Sequence, residues 1–177
     1  MKKNLFLVWA CIVVSILFNT TSCASTGAST IHQDPSFSLQ EHALLLPSGN
    51  ARGIVDIRGF YEPNQKDSYL PLTIKPNEVG LIPPGKQTIN VVVKPTGYEQ
   101  TRPFQITYEF LPGQRYVISI VNVKKGLLVG SFSAEIHTVD EYRSIYKEIY
   151  PNNDESSFKS WVLDRFDKAE TWLKENK

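Results

Sequence analysis

The middle of the chain is dominated by apolar residues at every second position. The segment from Phe104 to Phe110 is the clearest case: its four apolar side chains alternate with Gln105, Thr107 and Glu109. An alternation of this period places the apolar side chains on one face of a β-strand. Strand-like runs recur at 43–46, 53–61, 69–75, 87–94 and 127–136, with turn residues between them. This spacing predicts a mainly β domain over 39–138, folded as an antiparallel β-sandwich.

Two proline-glycine turns punctuate these strands. Pro83-Pro84-Gly85-Lys86 separates 79–82 from 87–94, and Leu111-Pro112-Gly113-Gln114 separates 104–110 from 115–121. In each turn proline occupies the second position and glycine the third. This order favours a type II turn, because glycine adopts the positive φ that the third position requires. We expect each turn to close a hairpin, and Lys124-Lys125-Gly126 to make a third reversal.

After Thr138 the apolar period changes from two to that of a helix. Tyr142, Ile145, Tyr146 and Ile149 follow helical spacing, and Thr138 with Glu141 predicts a capping box. A second helix is predicted from near Asp154 to about Glu175, after the break at 151–154. Its apolar side chains fall within one arc, which also contains Arg165: Phe158, Trp161, Val162, Phe166, Ala169, Trp172 and Leu173. The sequence therefore predicts an α-helical C-terminal extension, with two helices over 139–177 packed on or beside the sandwich.

Acid-before-base pairs four residues apart mark the remaining surface of the second helix. They are Glu155–Lys159, Asp164–Lys168 and Glu170–Lys174. Each such pair is expected to stabilise the helix by only a few tenths of a kcal/mol.

The N-terminal segment has the features of an export signal. Lys2 and Lys3 precede an almost unbroken apolar run from Leu5 to Phe18, and small residues follow. We interpret 1–22 as a signal peptide that is removed and takes no part in the fold. Two alternatives stay open: a permanent membrane span, for which the run is short, and ordinary cleavage near Ala24 that releases a soluble product.

Cys23 directly follows this segment. Thr20-Thr21-Ser22-Cys23 resembles the bacterial lipobox, and that resemblance implies that Cys23 carries acyl chains such as palmitate. The other cysteine is Cys11, inside the apolar run, so the mature chain has no cysteine pair for a disulfide. Acyl chains would hold the protein at a bacterial membrane, inner or outer. Residues 23–38 are small and polar and are predicted to form a flexible tether.

A second resemblance covers about residues 69 to 121. The runs from Leu81 to Val93 and from Leu111 to Ile118, together with Gly97-Tyr98-Glu99, resemble the turns and strands of PEGA-type and carboxypeptidase-regulatory-like β-sandwich modules. Such modules occur in bacterial envelope lipoproteins and are usually non-catalytic binding or scaffolding pieces. The resemblance therefore implies a role of that class.

No motif for catalysis, metals or cofactors stands out. The three histidines, His32, His42 and His137, lack metal-ligand spacing, and Gly130-Ser131 lacks the second glycine of a serine-nucleophile motif. Carboxylates such as Asp56, Glu109 and Glu135 fall on predicted solvent faces. The net charge of +1 gives no electrostatic reason to expect nucleic-acid binding. We therefore predict no catalytic residues, no metal and no cofactor.

Aromatic residues gather in the helical tail. Two interpretations compete for this group: the tail covers one apolar face of the sandwich, or it presents part of its surface to a partner protein or a membrane. The candidate partner-binding residues are Trp161, Trp172, Tyr142 and Tyr146.

The expected function is that of a lipid-anchored, non-enzymatic lipoprotein of the bacterial cell envelope. It would act as a binding or structural module that contacts an envelope protein or a carbohydrate. Two alternatives remain. One is a soluble secreted or periplasmic enzyme or inhibitor whose site is built by the loops Glu62–Ser68 and Thr96–Pro103. The other is a subunit of an envelope assembly.

Overall fold

The fold is that of a computed structural model, which describes residues 29–30, 40–50, 53–61, 69–70, 73–97, 99–124 and 131–175. The predicted signal peptide, Cys23, His32, the loop Glu62–Ser68 and residues 125–130, with most of the predicted third reversal, lie outside the described residues. So does most of the predicted tether.

The chain is mainly β, with two sheets followed by helices. The strands are β1 (Ser29–Thr30), β2 (Ala43–Pro47), β3 (Gly49–Asn50), β4 (Gly53–Tyr61), β5 (Tyr69–Leu70), β6 (Gly80–Ile82), β7 (Gly85–Pro95), β8 (Phe104–Phe110), β9 (Arg115–Lys124) and β10 (Ser131–Thr138). Sheet A has the order β1-β6-β2-β9-β10, and sheet B has the order β3-β4-β7-β8 with β5 beside β4. Sheet B is antiparallel. Sheet A is mixed, because β1 pairs with β6, and β2 with β9, in parallel.

The two predicted proline-glycine hairpins are wrong. Strand β6 lies in sheet A and β7 in sheet B, while β8 lies in sheet B and β9 in sheet A. Gly85 and Gly113 do adopt positive φ, at 91° and 72°. The backbone N–H of Gln114 also donates to the carbonyl of Leu111 at 3.3 Å, as a β-turn requires. The turn chemistry was therefore predicted, whereas the sheet that the next strand joins was not.

Strand β2 explains why sheet A is apolar on both faces. Ala43 and Leu45 belong to one buried cluster, and Leu44 and Leu46 to another. The first cluster also contains side chains of sheet B, among them Val55, Ile57, Ile89, Val91, Val93 and Phe110. The second contains side chains of the C-terminal helices. A central strand that is covered on both faces can have a continuous apolar run, as β2 does.

The C-terminal helices cover sheet A. Helix α1 (Val139–Ile149) begins at Thr138, whose hydroxyl accepts from the backbone N–H of Glu141, so the predicted capping box is present. Helix α2 begins after the N-cap Asp154 and has three consecutive segments. Glu155–Phe158 is α-helical, Lys159–Leu163 is π-helical and Asp164–Glu175 is α-helical. The helices bury a set of side chains against Leu44, Leu46, Val79, Leu81 and Val117: Tyr142, Tyr146, Phe158, Val162, Phe166, Ala169 and Leu173.

The predicted ion pairs along α2 are absent among the described salt bridges. Two of the three acids pair instead with arginines of neighbouring elements. Glu155 pairs with Arg143 of α1 at 3.4 Å, and Glu170 pairs with Arg115 of β9. Glu155 and Glu170 therefore connect α2 to α1 and to β9.

The prediction that Asp56 lies on a solvent face is wrong. Its side chain is 6% exposed, and its carboxylate lies 2.6 Å from Lys94 Nζ and 3.2 Å from an Arg58 guanidinium nitrogen. These cations satisfy the carboxylate, since a buried charge requires a partner. Glu109 and Glu135 are exposed, as predicted.

Candidate functional site: an aromatic cavity beside Trp161

A small cavity lies where the helices meet the edge of the β-structure. Its volume is about 120 Å³. Its walls come from the end of β2 and the start of β3, a turn before β6, the C-terminal end of α1 with the residues after it, and the π-helical segment of α2. They are Leu46, Ser48, Gly49, Asn77, Tyr142, Tyr146, Tyr150, Asn153, Trp161 and Val162. A cavity of roughly 150 Å³ holds one aromatic ring, so this cavity suits a single side-chain-sized group and not a drug-sized ligand.

Three tyrosines form the α1 side of the cavity. Tyr142 and Tyr146 are four residues apart on one helix face, and their ring centroids lie 6.3 Å apart. Tyr150 adds a third ring, 4.9 Å from that of Tyr146. The Tyr146 hydroxyl accepts a hydrogen bond from Asn153 Nδ2 at 3.0 Å. This bond lets a tyrosine that is only 5% exposed keep its polar end satisfied.

Trp161 stands at the opening of the cavity, in the π-helical segment. Its neighbour Val162 is buried, whereas Trp161 is 54% exposed. The backbone N–H of Asp164 donates to the carbonyl of Lys159, the five-residue spacing of a π-helix. Such segments are rare in proteins, and those that occur are frequently found at functional sites. Here an indole that the apolar arc would bury is left largely accessible.

Asn77 provides the polar rim. It occupies the third position of a turn from Lys75 to Glu78, in which the N–H of Glu78 donates to the carbonyl of Lys75 at 3.1 Å. Pro76 precedes Asn77, and the φ of 69° at Asn77 fits the third position of a type II turn. The backbone N–H of Asn77 donates to the carbonyl of Pro47 at 3.0 Å, which fixes the turn against β2. Within the described part of the chain, the side-chain amide of Asn77 has no hydrogen-bond partner.

Arg165 continues the site on the other side of Trp161. Its Nε donates to the carbonyl of Trp161 at 3.0 Å, and Nη1 donates to the carbonyl of Asn77 at 3.1 Å. The guanidinium carbon also lies 5.9 Å from the Trp161 ring centroid. Burial lowers the pKa of Arg165 from its usual value. A groove of about 440 Å³ follows, lined by Asn77, Val79, Ser160, Trp161, Arg165 and Lys168.

The four predicted partner-binding residues fall in different places. Tyr142 and Tyr146 are buried and form cavity walls, and Trp161 stands at the mouth. Trp172 is 41% exposed and borders a separate depression with Asp164, Asp167, Lys168, Thr171 and Glu175. The structure therefore brings three of the four together.

Two contributors were missed from the sequence. The sequence pattern places Asn153 in the helix break, and Asn77 is not among the candidate residues. The signal for Asn77 was present in Pro76-Asn77, because asparagine after proline favours the third position of a type II turn.

The lining of the cavity contains no side chain that is charged at neutral pH. Among the described residues, no group of three or more histidines, cysteines or acids is placed to hold a metal ion. His137 Nε2 lies 3.7 Å from a Glu135 carboxylate oxygen, away from the cavity lining. The cavity can therefore enclose an apolar group, while the neutral amide of Asn77 at the rim can hydrogen-bond a polar group next to it.

Comparison with protein families, with curated proteins and with solved structures finds no match for this chain. Among the described residues, no helix combines the length and the apolar character needed to cross a membrane.

Proposed function

We propose that the chain is an exported, lipid-anchored protein of the bacterial cell envelope, and that its folded part is a non-catalytic module that binds a partner through the aromatic cavity. The location is supported by the export-signal features of 1–22 and by Cys23 directly after them. We also propose that sheets A and B face each other as a β-sandwich related to PEGA-type modules. The shared buried cluster, with Ile118 from sheet A and Ile89 from sheet B, supports this arrangement.

The observation that carries the binding role is the exposure of Trp161 beside an open aromatic cavity. A tryptophan that only completed a core would be buried with Val162 and Phe158. Partly exposed tryptophans next to a pocket, with tyrosines around them, are typical of the energetic centres of binding surfaces. The unpartnered amide of Asn77 at the rim adds a donor and an acceptor for orientation.

The binding role is tested by cross-linking from position 161. A photoreactive benzoylphenylalanine replaces Trp161 in cells that export the protein, and Leu111 is replaced in the same way as the matched control. Leu111 is 56% exposed, nearly the same as Trp161, and lies in the turn between β8 and β9. We expect a discrete cross-linked product from position 161 and none from position 111. Equal products from both positions, or none from position 161, would contradict the binding role.

A further inference from the structure

The groove beside the cavity contains an arginine without an acidic partner. Among the described residues, no carboxylate oxygen lies within 4.0 Å of Arg165, whose hydrogen bonds go to two backbone carbonyls. Those bonds use Nε and Nη1 and fix the plane of the guanidinium. Nη2 has no partner among the described residues. A fixed, partly desolvated guanidinium is well suited to a carboxylate, because little ordering remains to be done on binding.

The acids that could neutralise Arg165 are engaged or placed elsewhere. Asp167 and Glu170 both pair with Arg115 on β9. Asp164 borders the depression next to Trp172, outside the groove. Lys168 lines the groove together with Arg165 and has no salt bridge among the described residues. Two cations therefore face a groove whose lining contains no acid.

The cavity itself favours an apolar side chain over a sugar ring. A sugar ring carries several hydroxyls, and each hydroxyl buried without a partner costs free energy. The lining has few polar groups to offer: Asn153 Nδ2 is already bonded to the Tyr146 hydroxyl, and the Ser48 hydroxyl is buried beneath the surface without a partner. The polar groups left at the rim are the Asn77 amide, the Trp161 indole N–H and the Asn153 side-chain carbonyl, fewer than the several hydroxyls of a sugar ring would need.

The cavity and the groove share Asn77 and Trp161. A ligand that fills both therefore needs an apolar group next to a negative charge. We propose that this joint site binds an acidic peptide segment of a partner protein. One aliphatic or aromatic side chain enters the cavity, and a neighbouring aspartate or glutamate carboxylate pairs with Arg165 and Lys168. This inference rests on the proposed function, since it names the chemistry of the partner that the cavity binds.

The test follows the tryptophan indole N–H signals of the ¹⁵N-labelled full chain in detergent micelles by NMR. The chain has three tryptophans, so the Trp161 signal is assigned with Trp161→Phe. The probe is acetyl-Gly-Asp-Leu-Asp-Gly-amide. Its two controls replace both aspartates with lysine, or leucine with serine. We expect a saturable shift at Trp161 with the first peptide alone, binding at least about tenfold tighter than either control. The Trp172 signal should stay in place.

Arg165→Gln separates charge recognition from a structural role, because glutamine can still donate to a backbone carbonyl. We expect this variant to weaken binding about tenfold while the Trp172 signal shows that the fold is kept. Lys174→Gln, an exposed position beyond the groove, should change binding less than about twofold.

The proposal is overturned by no shift at Trp161, by equal binding of the lysine peptide, or by unchanged binding in Arg165→Gln. A larger shift with N-acetylglucosamine or glucuronic acid would also overturn it, in favour of a carbohydrate. If the peptides fail but position 161 still cross-links to a partner, the acidic-segment inference falls and the binding role stands. If both fail, both are wrong.

Discussion

Arg115 Nε donates a hydrogen bond to a Glu170 carboxylate oxygen at 2.7 Å, although the two residues are 55 positions apart in the chain. Arg115 is the first residue of β9, and Glu170 lies in the last segment of α2. The same guanidinium reaches Asp167 at 3.0 Å and lies over the ring of the buried Phe166, with 5.6 Å from its central carbon to the ring centroid. Arg115 thus fastens the C-terminal helix to sheet A.

We expect Arg115→Ala to lower the free energy of unfolding by about 1 to 2 kcal/mol. The side chain is 30% exposed, so solvent screens the ion pairs, and part of the loss comes from the contact with Phe166. Urea denaturation measures the change. Lys174→Ala, which removes an exposed cation from the same helix, should shift the free energy by less than about 0.5 kcal/mol. Equal effects of the two substitutions would show that Arg115 does not fasten the helix.

Alanine substitutions at Gly53 and Gly97 distinguish the cost of a steric clash from the cost of backbone strain alone. Both have positive φ, 140° and 79°. A methyl group at Gly53 would meet backbone atoms of Lys94 and Pro95 on the paired strand β7, whereas Gly97 has open space around it. Gly97→Ala should therefore cost about 1 kcal/mol, and Gly53→Ala at least about 3 kcal/mol. Thermal unfolding of both variants tests this difference, and similar melting temperatures would be the contrary result.

The capping box at the start of α1 predicts a pH-dependent contribution to stability. Hydrogen bonds from the backbone and the hydroxyl of Thr138 hold the pKa of Glu141 below its ordinary value of 4.5. Because the folded pKa is lower, the unfolded state binds more protons, so this stabilisation is full above about pH 4.5 and is lost as the pH falls through the folded value.

Glu141→Gln should therefore be less stable than the original chain at pH 6, and the difference should shrink progressively below pH 4.5. Thr138→Ala should cost about 1 kcal/mol at pH 6, since it removes the N-cap itself. Denaturation curves at a series of pH values measure both effects. A stability difference between Glu141→Gln and the original chain that stays constant from pH 6 to pH 3 would refute the pKa assignment.

The buried carboxylate of Asp56 gives a prediction about sheet B. We expect Asp56→Asn to destabilise the fold by about 1 to 2 kcal/mol, because the ion pairs of Asp56 with Lys94 and Arg58 are lost, while both cations are exposed enough to be solvated. Glu109→Gln, which changes an exposed acid on strand β8 of the same sheet, is the control and should have little effect. Chemical denaturation of the two variants decides whether the Asp56 ion pairs stabilise the sheet.

Local patterns predicted local structure well. The alternation in β8 placed Phe110 in the core and Gln105, Thr107 and Glu109 outside, and Thr138 with Glu141 marked the start of α1. These features depend on interactions within a few residues, which the sequence displays directly. The helical spacing of apolar residues on α2 also predicted its buried face, since most of that arc, including Phe166, is buried.

Long-range arrangement was less accessible. The turn at Pro112-Gly113 reverses the chain equally well within one sheet or between two, so its chemistry could not assign β9 to sheet A. The parallel pairing of β2 with β9 joins residues some seventy positions apart, as in Leu44 with Arg115, and no local pattern specifies it. The cavity likewise depends on contacts between distant elements, such as the bond from Asn77 to Pro47.

The proposed anchor at Cys23 would decide where to look for a partner, and the intact mass of the mature protein from the membrane fraction tests this proposal most directly. Cys23→Ala is measured in parallel. We expect a chain that begins at Cys23 and carries about two or three acyl chains, with the modification and the membrane association lost in the variant. An unmodified chain that begins at Ser25 or nearby, with the same start and no acyl mass in both the original protein and Cys23→Ala, would contradict the proposed anchor.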